Sequence, residues 1–125
     1  MIVAAYAFVS HLYLYALAWT CLSITSVLVH EFDTMYLADK IFLYIAIAIG
    51  GYYYVTRFIN STPVLQIIPL VSFAMVVLLY FGLRESVDHT FVHMFSIVGH
   101  TAIILMVVHH RQITGQKTAE IQAMA

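Results

Sequence analysis

The stretch Ala38–Phe58, ADKIFLYIAIAIGGYYYVTRF, decides how this chain is read. Asp39 and Lys40 open it, Arg57 closes it, and no charged residue lies between Lys40 and Arg57. A hydrocarbon core about 30 Å thick is crossed by roughly 20 helical residues, which is the length of this run. Tyr52, Tyr53 and Tyr54 near its basic end match the aromatic belt found where a helix leaves the bilayer. Gly50 and Gly51 permit close helix approach, although no GxxxG spacing is present. The stretch therefore predicts a transmembrane helix over 38–58.

The same reading extends along the chain. The N-terminal run MIVAAYAFVSHLYLYALAW has no basic leader and reads as a first span, not a cleaved signal. It is expected over 2–29, with Ser10 and His11 as the polar interruption of its first half. That is longer than a bilayer needs, so tilt or an interfacial first turn is expected to absorb the excess. After Asn60-Ser61-Thr62-Pro63, a third span is expected over 63–83, with Ser61 or Thr62 at the cap and Pro63 in the first turn. Pro69 is tolerable inside a helical bundle. The polar loop Arg84-Glu85-Ser86-Val87-Asp88 leads to a fourth span over 89–108 and a short polar tail over 109–125. The expected fold is all-α, a single domain over 1–125 forming an integral membrane four-helix bundle.

Composition supports lipid as the solvent. The 125 residues are 63% hydrophobic and 9% charged, against about 25% charged in soluble domains, too few to cover a water-facing surface. A net charge of -1 gives no electrostatic footprint for nucleic acid. The single cysteine, Cys21, excludes an internal disulfide. Arg57, Arg111 and Lys117 lie at one side of the expected bundle, and Lys40 and Arg84 at the other. The positive-inside rule counts these bases and favours both termini on the cytoplasmic side. A multi-pass protein of the cell membrane, in a prokaryote the inner membrane, is the expected placement.

Seven histidines in so apolar a chain ask for a reason. On a helix at about 100° per residue, His89, His93, Ser96 and His100 fall within about 60° of one another, a polar stripe that should avoid lipid. Tyr15, Trp19, Ser23, Ser26 and His30 share a face of the first span, and the two faces are expected to meet. His89 and His93 are spaced i, i+4, which sets two imidazoles one turn apart as in helical metal sites. Further ligands at that mouth are His30, Glu31, Asp33, Glu85 and Asp88. Imidazole with carboxylate suits a divalent transition metal such as zinc, copper, iron or nickel. His100, about 10 Å further along the helix than His93, is too far to share the ion and stands, with Ser96, as a buried polar or relay position. The competing explanation is that HxxxH is a short pattern and that interfacial histidines are common. Paired haem ligation by His11 and His30 with His93 and His109 or His110 is disfavoured, because about 28 Å of helix separates His11 from His30.

From Asp39 to Gln112 the layout resembles the MerC-like family of small four-helix bacterial membrane proteins. The shared features are an Asp-led second span, a basic and polar turn, a Pro-containing third span ending in a charged loop, and a fourth span closing on Val107-Val108-His109-His110-Arg111. The resemblance implies a membrane four-helix fold and mercury transfer. Where that family has a cysteine pair beside a histidine, the first span here has Cys21 alone, so no residue is assigned a role from the family. Three functions are therefore open at this stage. One is metal binding or handling at the histidine–carboxylate mouth. Another is an accessory role in a larger membrane complex. The third is a proton-coupled transporter or membrane enzyme using His100, in which a pathway through so few helices would need a homo-oligomer or larger assembly.

Overall fold

The computed structural model describes residues 1–32, 34–79 and 89–124, with the backbone alone for His89 and Thr90. The described residues are helical, without strands: α1 Ile2–Val9, α2 Tyr13–Phe32, α3 Tyr36–Arg57, a 3-10 turn Phe58–Asn60, α4 Pro63–Val77 and α5 His89–Met124. Asp33 and the loop containing Glu85 and Asp88 fall outside the described residues. Three helices are long and apolar enough to cross a bilayer, over Tyr13–Phe32, Tyr36–Asn60 and Phe91–Met124. α4 is a shorter apolar helix, followed by a π-helical turn over 78–79. The chain divides into two compact units, Met1–Tyr53 and Tyr54–Ala125.

In the first unit, the expected single span over 2–29 is two helices. Ser10 ends α1 and His11 takes a left-handed φ of 58°. The His11 amide donates to Phe8 O at 3.0 Å and the Leu12 amide to Ala7 O at 2.9 Å, the two bonds of a Schellman stop. Leu12 and Ala7, the apolar pair that accompanies this motif, are both buried. The chain then reverses, and α1 lies back along α2 with the Met1 amino nitrogen 3.3 Å from Ser23 Oγ. Small residues allow the close approach: Val3, Ala4 and Ala7 are the buried face of α1, and Ala16 and Ala18 are buried on α2. The surplus length of the first run is thus folded back, and α2 keeps the 20 residues a crossing requires.

His11 occupies a position that glycine normally fills, because L side chains crowd the carbonyl there at about 1–2 kcal/mol. Its Nδ1 lies 2.8 Å from Tyr13 Oη, a local bond that offsets part of this cost. His11→Val is expected to destabilise the protein by about 1–2 kcal/mol, whereas His11→Gly should stay within about 0.5 kcal/mol of wild type. Denaturant titration in mixed micelles checks this, and equal losses for both substitutions would show that the left-handed backbone is not what matters.

α3 packs antiparallel to α2. Tyr15 and Tyr53 rings are 6.0 Å apart at one end, and Thr25 Oγ1 donates to Asp39 Oδ1 at 3.2 Å toward the other. Asp39 sits in the first turn of α3, where the helix dipole favours a carboxylate. The buried positions of α3 are Ala46 and Gly50, one turn apart. They form a small-xxx-small pair that a search for GxxxG alone passes over.

In the second unit the last turn of α3 is tied to α4. Tyr54 Oη donates to Gln66 O at 2.9 Å, and Gln66 Nε2 donates to Phe58 O at 2.7 Å and Ser61 O at 3.2 Å. Thr62 holds the N-cap position without a side-chain bond, and Pro63 follows it at the helix start. Gln66 thus caps carbonyls of the preceding turn, while the Ser61 hydroxyl donates to Arg57 O and neither Ser61 nor Thr62 makes the expected side-chain cap of the helix amides. Pro69 is fully buried inside α4. α4 and α5 form an antiparallel pair: Ser72 and Phe73 lie against Gly99, while Leu65 and Leu105 line one groove. The expected stop at 108 and the separate tail over 109–125 are replaced by unbroken helix to Met124. The residues beyond Arg111 are mostly polar but include helix formers such as Gln, Lys, Ala and Glu, so loss of hydropathy does not mark the end of the helix.

Candidate functional site

The polar stripe of the histidine helix lies on continuous α5. His89 opens that helix and His93 follows one turn later, so the i, i+4 relation holds on the backbone. Along the stripe the surroundings change: His93 is exposed, Ser96 half-buried and His100 buried at 1% exposure. His30, in the last turn of α2, and Glu31 are exposed. Asp33, Glu85 and Asp88 lie outside the described residues, and the His89 side chain does too. Among the described residues, no three His, Cys, Asp or Glu side chains gather as a metal-ligand set.

His100 belongs to the contact between α4 and α5. Its ring meets Phe73 edge-on, with centroids 4.9 Å apart and planes at 79°. The neighbouring Gly99 lets the two backbones approach, since a Cβ there would come within 3.1 Å of Ser72 Cβ. The close contact with Phe73 fixes where this buried imidazole sits.

A second group of nitrogen-bearing side chains stands at the other end of the unit formed by Tyr54–Ala125. Arg57, His109 and His110 are each half-buried. Arg57 Nε and both histidine Nδ1 atoms are occluded from solvent without a hydrogen-bond partner among the described residues. Arg57 lies in the last turn of α3, which the Tyr54 and Gln66 bonds join to α4, and His109 and His110 lie on α5, which lines one groove with α4 through Leu65 and Leu105.

The fold and these groups define an all-helical protein with apolar helices of membrane-crossing length. No family model, curated protein or solved structure matches the chain.

Proposed function

We propose that this chain is a four-span bundle of the cell membrane, formed by α2 to α5, that binds or handles a transition metal at its non-cytoplasmic mouth. The α1–α2 tip and the end of α5 are then cytoplasmic, as the Arg57, Arg111 and Lys117 count favours. The observation that carries the reading is the placement of His89 and His93 one turn apart at the start of one unbroken helix. Two neutral imidazoles so spaced chelate zinc, copper or iron, and the carboxylates Glu85 and Asp88 adjoin them in sequence.

Elemental analysis of detergent-purified protein is expected to find near-stoichiometric metal. Even outer-sphere changes weaken metal sites about 10–100-fold, so the double substitution His89→Ala/His93→Ala should weaken binding by at least about tenfold. Metal-free wild-type protein after zinc loading would sink the proposal. A second reading, an accessory subunit of a larger membrane complex, draws on α3, whose buried residues are Ala46 and Gly50 alone among those described. Its remaining apolar faces suit either lipid or a partner helix, and stoichiometric co-purification in mild detergent distinguishes the two.

A further inference from the structure

We propose that the second unit binds one anionic phospholipid, its headgroup phosphate held by Arg57, His109 and His110 and one acyl chain lying in the groove between α4 and α5. The inference is independent of the metal-site reading, since it uses the opposite end of α5.

The three residues reach one level of the unit. Ser61 Oγ donates to Arg57 O at 2.7 Å, and Gln66 Nε2 bonds Phe58 O and Ser61 O, so the Arg57 turn is fastened to the start of α4. Leu65, one turn after Ser61, lines the same groove as Leu105. His109 stands four residues beyond Leu105, about 6 Å along the helix. The end of α3, the start of α4 and the His109-His110 turn therefore share one membrane boundary, the tyrosine-rich one.

The chemistry there is that of donors awaiting an acceptor. A buried ring nitrogen without a partner is tolerated as an acceptor more readily than as an orphaned N–H. With Nδ1 of His109 and His110 occluded and without a hydrogen-bond partner among the described residues, an Nε2–H tautomer leaves each ring one N–H to offer a ligand. Arg57 adds a permanent charge, its Nε occluded without a hydrogen-bond partner among the described residues. Arg57 with two imidazole N–H groups matches a phosphate oxyanion, and basic pockets between helices on the cytoplasmic side suit anionic headgroups.

The groove supplies the apolar half. Its volume is about 370 Å³, and it is lined by Leu65, Ile68, Ile97, Thr101, Ala102 and Leu105. It starts at Leu65 and Leu105, one turn below the donors, and runs to Ile97 eight residues along α5, about 12 Å into the hydrocarbon region. An apolar groove whose lining begins one turn from these donors fits one amphiphile better than a free anion, which would leave the apolar part empty.

Native mass spectrometry of the detergent-purified full chain, offered equal phosphatidylglycerol and phosphatidylcholine of the same acyl length, tests this. Wild type is expected to hold one phosphatidylglycerol with about tenfold preference. Arg57→Gln/His109→Gln/His110→Gln should abolish the preference, and Arg57→Gln alone, the milder change, should reduce it at least about threefold. Arg57→Lys should retain most of it. Thr101→Phe, which fills the groove, should lower retention of both lipids. Helicity by circular dichroism confirms that each variant is folded. An unchanged preference in folded Arg57→Gln would overturn the site. Inorganic phosphate that displaces the lipid at millimolar concentration, with Thr101→Phe behaving as wild type, would overturn the lipid as ligand in favour of free phosphate.

Discussion

Replacing Gly99 with leucine is expected to lower the unfolding free energy by about 3 kcal/mol, near the upper end of what overpacking costs. A Cβ at Gly99 would lie 3.1 Å from Ser72 Cβ and 3.4 Å from Phe73 Cζ, so even alanine requires a neighbouring side chain to give slightly. Leucine adds further carbons in the same direction and would prise Phe73 from His100. In the bilayer proposed for this chain the loss would not be offset by hydrophobic association, because the tails are as apolar as the side chains and helix pairing rests on close van der Waals contact. Gly115 is the control: a Cβ there meets nothing within 4 Å. Gly115→Leu should therefore be neutral or slightly stabilising through helix propensity, by up to about 1 kcal/mol. Denaturant titration in mixed micelles reads both, and similar effects at the two glycines would contradict the close α4–α5 contact.

Tyr15→Ala carries the second large effect. Tyr15 is 0% exposed, and its ring sits 6.0 Å from that of Tyr53. Aromatic-to-alanine changes in water-soluble cores cost about 3–5 kcal/mol through transfer and cavity contributions together. In a bilayer the transfer part shrinks, leaving the lost dispersion contacts, so about 2–3 kcal/mol is expected. Tyr44, 67% exposed on α3, provides the comparison and should change stability by less than about 0.5 kcal/mol on truncation. A double-mutant cycle of Tyr15→Ala with Tyr53→Ala should return about 0.5–1.5 kcal/mol of coupling. Zero coupling, with equal losses at Tyr15 and Tyr44, would mean that α2 and α3 do not meet along this face.

The sequence reading and the structure part company at identifiable residues. Apolar runs bounded by Asp39 and Arg57, or opening after Thr62, mark helices because solvent preference is written residue by residue. The break at Ser10–Leu12 carries no glycine or proline, and it is made by backbone bonds to Ala7 and Phe8 with His11 in a left-handed conformation. A histidine with positive φ is uncommon enough that sequence alone favours a continuous helix. At the other end, hydropathy falls after Val108 while the helix continues to Met124, since polarity and helix propensity are separate properties.

The site followed the same division. That His89 and His93 share a helix face follows from spacing alone, because helical periodicity is local. Arg57 stands more than 50 positions before His109 and His110 in sequence, and each has a nitrogen occluded without a hydrogen-bond partner among the described residues. That occlusion depends on how α3, α4 and α5 meet, which helical spacing does not encode. The sequence by itself determined an all-helical, lipid-suited chain, its main apolar runs and its local histidine spacing, all of which rest on side-chain chemistry and short-range periodicity. Only the tertiary structure decided the reversal of α1, the burial of His100 in a helix contact and the occlusion of the Arg57, His109 and His110 nitrogens. Those depend on backbone turns and long-range close approach, for which neighbouring residues in the chain carry no signal.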